Sequence, residues 1–526
     1  MRRLPQILFP AASGILFGLA YPKSGFWPLA FVGLVPLLAA MSRPERLPAW
    51  SAGLAWGAGF FGFLLRWLYG FFRQYGQLDP LLSVATLGLL VAYLALFPAL
   101  FATLGAFLLK RRGNSVLGLL PALWVALEWI RGHALSGFPW GLAGYSLVPA
   151  LPLVQISALT GVYGLSFLVV LVNASIAAWL GPSPREDGAF RLSAATLLIL
   201  AGVFAFGATA MRLPAESGPE VMVGLVQANI AQDEKWSSGQ AEEILEKHER
   251  LTEAAAAQGA RIILWPESSS PFPLSRPVSQ KSGEGVIADD GYRRRLESLA
   301  RRTGASILFG TVDYRVIRGE TRALNAAALV RPDATWSETY AKMHLVPFGE
   351  YVPLAPLLSF VNRIAQGAIG EFAAGRKPVV MRADALSMGT LICYEMIFPE
   401  LVRLFPRQGA DLLANLTNDA WFGKSSGPHQ HLQMSILRAV ENRRYLVRAA
   451  NTGISAIVDP RGRVIARSRL QETRAILGRV RAVRGETPYA RVGDVFAFVC
   501  VILASAALVA AFAAGRRARE EGRLGD

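Results

Sequence analysis

The sequence predicts two kinds of structure in one chain: an α-helical transmembrane bundle of about eight spans and an α/β domain of layered sheets covered by helices. Three observations predict this. Residues 1–212 and 495–514 are strongly apolar, whereas 215–490 has the mixed character of a globular domain. With 52% hydrophobic and 17% charged residues and a mean hydropathy of +0.34, the 526-residue chain is unusual for a fully soluble protein. Within 215–490, buried-strand runs alternate with amphipathic helical periodicity.

The spans come first. Apolar segments at 5–21, 25–41, 50–70, 82–109, 116–134, 152–180, 192–211 and 495–514 suit about 30 Å of hydrocarbon. Pro10, Pro28 and Pro36 interrupt the first two, so their limits are soft. The start, Met1-Arg2-Arg3 before an apolar run, also resembles a signal peptide. The residues before Tyr21-Pro22 make a poor small-residue cleavage site, which favours a retained span. Arg2 and Arg3, Arg43 and Arg46, Lys110 to Arg112, Arg185 and Arg191, and the tail arginines Arg516, Arg517, Arg519 and Arg523 fall in alternate gaps. Eight spans put all of these on the cytoplasmic side, with both termini and a basic tail at 515–526. The segment 215–490 then lies outside the cytoplasm. At the end of the fifth span, Glu128 and Arg131 are three apart and can satisfy each other on a helix. An interfacial anchor and a substrate-facing pair remain open readings of them.

Charge and cysteine usage narrow the classes. The formal net charge of +16 raises nucleic acid, but no zinc-finger spacing, aromatic RNA-binding signature or lysine-rich arm supports it. Cytoplasmic-side basic residues and anionic lipid explain the charge better. Of the two cysteines, Cys500 sits inside the last apolar run and reads as a packing residue, so it and Cys393 are read as unbridged. The five histidines show no metal-ligand spacing; no Gly-x-Ser-x-Gly elbow and no phosphate-cradling loop occurs. No cofactor or metal is expected.

The globular segment reads in order as a strand at 221–226, a helix at 239–258, a strand at 261–267 ending on its carboxylate, a helix at 290–303, and strands at 305–312, 323–330 and 335–342. A long loop follows, then a strand at 386–393, a helix near Pro399, a strand at 410–417, a helix at 428–448 and a strand at 449–458. Three reactive groups sit at strand ends: Glu267 in Trp265-Pro266-Glu267, Lys342 in Tyr340-Ala341-Lys342, and Cys393 in Ile392-Cys393-Tyr394-Glu395. A thiol acts as a nucleophile only as thiolate. A nearby carboxylate can take its proton and a nearby ammonium can hold the resulting charge. A strand-to-helix turn at Cys393 would point backbone N–H groups at a developing oxyanion. A lone cysteine is commonly a buried small hydrophobe; Glu267 and Lys342 at matching strand ends argue against that for Cys393.

These motifs resemble the Glu-Lys-Cys set of the nitrilase (carbon-nitrogen hydrolase) superfamily. Asn415-Leu416-Thr417-Asn418-Asp419-Ala420-Trp421, Leu345-Val346-Pro347-Phe348-Gly349-Glu350 and Gly137-Phe138-Pro139-Trp140 are narrower. With the spans, they are similar to the bacterial apolipoprotein N-acyltransferase family along essentially the whole chain. The resemblance implies a nitrilase-like αββα sandwich facing the periplasm on a bundle in the inner (cytoplasmic) membrane. It implies transfer of an acyl chain from a glycerophospholipid, usually phosphatidylethanolamine, through a cysteine thioester to the N-terminal amine of diacylglyceryl-cysteine in apolipoproteins. It further implies Cys393 as nucleophile, Glu267 as general base and Lys342 as oxyanion support with the Tyr394 N–H. Glu350, Tyr394 and Glu395 match further positions around the site; Trp236 and Trp421 match aromatic positions near the substrate path. The base role favours a Glu267 pKa raised toward neutrality. The apolar run 352–360 suits either a lip dipping into the bilayer or packing on its own domain. The arginines from Arg461 to Arg484 read as a solvated strand face more readily than as head-group contacts. The alternative function is a tethered amidase releasing acyl groups to water; a non-enzymatic scaffold fits the intact Glu267, Lys342 and Cys393 less well.

Overall fold

The computed structural model describes residues 4–43, 47–180, 186–213, 218–232, 239–277, 286–351 and 372–523. Trp236 and the run 352–360 lie outside them. The chain divides into two compact units: Met1–Tyr69, Asp79–Leu213 and Val492–Asp526 form the first, Gly70–Leu78 and Pro214–Arg491 the second.

The first unit is helical. Among the described residues, four stretches are long and apolar enough to cross a membrane: Pro80–Ser136, Val162–Trp179, Asp187–Ala210 and Val495–Arg516. Shorter apolar helices run Gln6–Gly18, Trp27–Met41, Ala49–Leu65 and Leu151–Thr160. Gly14 and Gly59 let the first and third expected spans touch backbone to backbone. A Cβ on Gly14 would stand 2.1 Å from the Trp56 carbonyl oxygen, and one on Gly59 2.1 Å from that of Ala11. The proline-broken second span becomes a 3-10 turn, Trp27–Phe31, and a helix, Val35–Met41. Buried Asn173 repairs the break: it accepts from the Leu34 N–H at 2.9 Å and donates to the Ala30 carbonyl at 2.8 Å.

Two span expectations need correction. The segment 152–180 is not one helix, because Gly161 at φ 64° separates the short turns Leu151–Val154 and Ser157–Thr160 from Val162–Trp179. The third helix stops at Leu65; a separate helix, Leu68–Gln74, follows, and from Gly70 on the chain belongs to the second unit. Glu128 and Arg131 are both buried and attract each other, while their hydrogen bonds go to the loop that follows their helix. Glu128 Oε1 accepts from the Ala143 N–H at 2.7 Å, while Arg131 donates to the carbonyls of Phe138 at 3.1 Å and Trp140 at 2.7 Å.

The second unit carries two six-stranded sheets. The first is built from β1 (Glu220–Gln227), β2 (Ile262–Leu264), β5 (Ser306–Ile317), β6 (Glu320–Val330), β7 (Tyr340–Ala341) and β14 (Arg474–Arg481). Its order is β14-β1-β2-β5-β6-β7, with β1, β2 and β5 parallel and the outer strands antiparallel. The second uses β8 (Val380–Ala383), β9 (Leu386–Ile392), β10 (Leu412–Thr417), β11 (Tyr445–Ala450), β12 (Ala456–Val458) and β13 (Val464–Arg467). Its order is β13-β12-β11-β10-β9-β8, again with a parallel centre of β9, β10 and β11. A small hairpin, β3 (Ser275–Pro277) with β4 (Val286–Ala288), stands apart. Gln227 of β1 reaches across the sheets, its Oε1 accepting from the hydroxyls of Ser455 at 2.6 Å and Ser468 at 2.7 Å. Helices Ala241–Ala257 and Asp290–Thr303 cover the outer face of the first sheet through Leu245, Leu296 and Leu299 against Ile263, Ile307 and Phe309. Helix Gly427–Asn442 lies along the second sheet, its Ser435 at 3.3 Å from the Arg448 guanidinium of β11. The result is helix, sheet, sheet, helix.

Local chemistry moved several boundaries. The helix expected to reach 448 ends at Asn442, where Arg443 turns left-handed at φ 48°. Arg444 then donates to the Ala410 carbonyl at 2.7 Å, and Tyr445–Ala450 becomes a strand. The strand at 261–267 shrinks to Ile262–Leu264, and that at 335–342 to two residues. The helix near Pro399 is two single turns, Pro399–Val402 and Leu404–Arg407. Of the arginines from Arg461 to Arg484, most are exposed on β13, β14 and their loops; Arg461 is buried.

Candidate active site

Glu267 leaves the C-terminal end of β2, Lys342 that of β7 and Cys393 that of β9, so the sheets deliver all three side chains to one buried place. Lys342, 1% exposed, anchors it. Its Nζ lies 3.3 Å from Glu267 Oε1 and 2.9 Å from Glu350 Oε1. Burial works to strip the proton from this ammonium, and the carboxylates of Glu350 and Glu267 outweigh it, holding the pKa above the ordinary lysine range. Lys342 is therefore a permanent cation. It can stabilise an anion but cannot accept a proton.

Both carboxylates are fixed by further donors. The Asn325 amide nitrogen donates to Glu267 Oε1 at 2.8 Å and to Glu350 Oε1 at 2.7 Å. The Asn418 N–H holds the other oxygen of Glu267 at 2.9 Å, and the Val346 N–H holds the other oxygen of Glu350 at 2.8 Å. Gly310 of β5 admits the Glu267 turn: a Cβ there would stand 2.6 Å from the Glu267 Cα.

Cys393 occupies a strained elbow. It follows β9 at φ 50°, a conformation rarely adopted by a side-chain-bearing residue, and opens the 3-10 turn Cys393–Ile397. Glu395 holds the elbow together. One oxygen accepts from the Ile392 N–H at 2.7 Å, and the other accepts from the Met343 and His344 N–H groups and from the Tyr340 hydroxyl at 2.7 Å. It thus ties the Cys393 turn to the Lys342 segment. Burial lifts its pKa to about 7, against the Ile392, Tyr340 and Met343 donors and the Lys342 charge.

A standing thiolate is not what the electrostatics favour. Burial, then the Glu267 carboxylate, push the Cys393 thiol well up, and Lys342 only partly opposes them. The resting sulfur is therefore a neutral thiol beside a carboxylate, and a thiolate forms there only as its proton leaves. Tyr394 stays a neutral phenol because burial raises it. Burial and the Lys342 charge push His344 down to about 4, so its ring, 3.7 Å from that of Phe398, is a neutral packing group.

Trp421 projects from the turn Asp419–Phe422 and meets Tyr75 edge-on at 4.9 Å and Phe71 at 6.2 Å; the Tyr75 hydroxyl donates to the Ala420 carbonyl. Sequence reasoning missed Asn325, the Asn418 N–H and the buried group His431, Asp419 and Arg448. The signal for Asn325 was available: a lone amide in the apolar run Ala323-Leu324-Asn325-Ala326-Ala327. The described residues contain no His, Cys, Asp or Glu cluster able to hold a metal.

Two sheets with parallel centres, flanking helices and a buried Glu-Lys-Cys group at the strand ends define a carbon-nitrogen hydrolase domain, and the profile of the family described as "Carbon-nitrogen hydrolase" matches residues 222–493. The family "Apolipoprotein N-acyltransferase N-terminal domain" matches residues 13–175. A Geobacter metallireducens protein named apolipoprotein N-acyltransferase is 40% identical over 97% of this chain and 95% of its own length. One of the same name from Nitrosomonas europaea is 35% identical over 93% and 94%. A crystal structure of an amidase from Nesterenkonia sp. aligns over 53% of this chain and 94% of its own at 21% identity, with a TM-score of 0.36. The chain belongs to the apolipoprotein N-acyltransferase family.

Proposed function

We propose that this chain is an acyltransferase that moves a fatty acyl group from a glycerophospholipid, through a thioester on Cys393, to the N-terminal amine of an apolipoprotein's diacylglyceryl-cysteine. Its relatives' shared name supports the transferase over the amidase alternative. The observation that carries the mechanism is Lys342, buried and cationic between two carboxylates, beside a neutral thiol on a strained elbow.

In the first half-reaction Cys393 Sγ attacks the ester carbonyl carbon as its proton passes to Glu267. The C–S bond forms, and the carbonyl oxygen takes negative charge facing Lys342 Nζ and the Tyr394 N–H. The C–O bond then breaks, and the lysophospholipid oxygen leaves with the proton from Glu267. In the second half the amine nitrogen attacks the thioester, Glu267 takes its proton, the C–N bond forms and the C–S bond breaks. The departing thiolate recovers that proton. Water in place of the amine would give the amidase. Glu350 and Asn325 hold Lys342 and Glu267 in register, Glu395 holds the elbow, and Trp236 and Trp421 serve the substrate path.

In this reading phosphatidylethanolamine is the donor, residues 1–212 and 495–514 anchor the chain in the inner membrane, and 215–490 works in the periplasm. Both termini, with the tail at 515–526, are cytoplasmic. Intact-protein mass spectrometry after mixing with phosphatidylethanolamine tests the chemistry. A gain of one acyl chain on the Cys393 peptide, passed on to a diacylglyceryl-peptide amine, is expected. Free fatty acid with no peptide product would favour the amidase; no adduct would end the thioester route. An alkaline phosphatase fusion near Ala215 should be active, and an inactive one would overturn the topology.

A further inference from the structure

Behind the elbow lies a buried polar group that the mechanism above does not use. His431, on helix Gly427–Asn442, brings Nε2 to 3.2 Å from the Cys393 carbonyl oxygen. A carbonyl oxygen only accepts, so Nε2 carries the proton and donates. Its other nitrogen lies 3.0 Å from Asp419 Oδ1 and 3.1 Å from the Arg448 guanidinium. Arg448 in turn donates to Asp419 Oδ2 at 2.8 Å, and the Thr417 hydroxyl donates to Asp419 Oδ1 at 3.0 Å. The Ser435 hydroxyl donates to the His431 carbonyl at 2.9 Å. All are buried, and Gly453 packs so closely that a Cβ on it would stand 2.4 Å from Asp419 Oδ2. The ring therefore has one orientation.

What this group grips is the peptide unit whose other end is the Tyr394 N–H. The unit is planar and trans, so fixing its oxygen fixes the direction of its N–H. A hydrogen bond to the oxygen also polarises the unit and strengthens the N–H as a donor. We propose that His431, held by Asp419 and Arg448, is a positioning residue that aims and polarises the Cys393–Tyr394 peptide so that its N–H meets the oxyanion of the acyl-transfer step. This rests on the reading of Cys393 as the acylated nucleophile. His431 touches no reacting atom. It acts through the main chain, by its contact with the Cys393 carbonyl.

The test compares two reactions of the same sulfur. Single-turnover acylation by phosphatidylethanolamine, followed by intact-protein mass spectrometry, needs the oxyanion donor; alkylation by iodoacetamide does not. The variant His431→Asn is too short to reach the Cys393 carbonyl, whereas His431→Gln places an amide N–H near the position of Nε2. The full-length Asn variant should lose acylation by at least about tenfold, toward the roughly hundredfold loss expected when one oxyanion donor is deleted. Its alkylation rate should stay within about threefold of the parent, and Gln should recover much of the acylation. Equal acylation by Asn, Gln and parent overturns the proposal; so does a parallel fall in alkylation and acylation, which a merely structural role would produce. Should the Asn variant fail to fold, Gln decides alone, since equal losses of both reactions in it would have the same meaning. If Cys393→Ala still gains an acyl chain, the nucleophile reading fails instead, whatever His431 does.

Discussion

Replacing Lys342 by Met removes the one cation that two buried carboxylates share. Its Nζ lies 2.9 Å from Glu350 and 3.3 Å from Glu267, at 1% exposure, so almost no water is at hand to take over the solvation. Breaking a buried pair from one side costs about 3–5 kcal/mol, because the surviving charge is left without a partner. Here two charges survive, bridged by the Asn325 amide at 2.8 and 2.7 Å and each still held by a backbone N–H, from Asn418 and Val346. Neutralising one of them should relieve the strain: Lys342→Met with Glu350→Gln is expected to regain about half of the lost stability. Chemistry is not expected to return with it, since in the proposed reaction the ammonium faces the oxyanion and a lost oxyanion contact slows a reaction by about 10²–10³. Without Lys342, moreover, the one nearby positive charge that opposes burial and Glu267 in holding the thiol neutral is gone, and only the Thr417 hydrogen bond still favours a thiolate. The assays are thermal unfolding in detergent and the time course of acyl-mass gain with phosphatidylethanolamine. A double variant no more stable than the single one would refute the shared-cation argument. Acylation by Lys342→Met within about threefold of the parent would refute the oxyanion role.

Three further outcomes are expected. Glu267→Gln should give opposite effects on two readouts: turnover is lost with the base, while iodoacetamide labelling at about pH 9 quickens, because removing a carboxylate that raises the Cys393 thiol brings thiolate within reach; slower labelling would contradict this. Glu395 is raised on folding from 4.5 to about 7, so the stability it contributes is complete below about 4.5 and is lost as pH rises through 7, by ~3 kcal/mol at most. Melting followed across that window should show the decline, and Glu395→Gln should flatten it from a lower starting point. Gly310→Ala would drive a Cβ to 2.6 Å from the Glu267 Cα, and should lower acylation by about tenfold to a hundredfold while the fold survives; a fully active variant would show that Glu267 tolerates displacement.

What the sequence could determine by itself was whatever is written in consecutive residues. The apolar runs, the arginine placement, the strand signatures ending in Glu267 and Cys393 and the motif around Lys342 and Glu350 are local patterns, and they named the family and the fold class. Glu395 was legible as a motif neighbour, but not as the clamp joining the Cys393 turn to the Lys342 segment, since that depends on hydrogen bonds to Tyr340 and Met343 more than fifty residues away. Asn325, the Asn418 N–H and the His431–Asp419–Arg448 group belong to the same category. Their partners are set by strand order and helix packing, which no short window contains. The state of the thiol was decided at this level too. An acid and a base near the thiol in sequence motifs say nothing of its resting state, and burial together with the Glu267 carboxylate keeps the proton on sulfur. Local patterns specify which groups exist, whereas desolvation and charge balance are sums over neighbours that only the folded chain brings together.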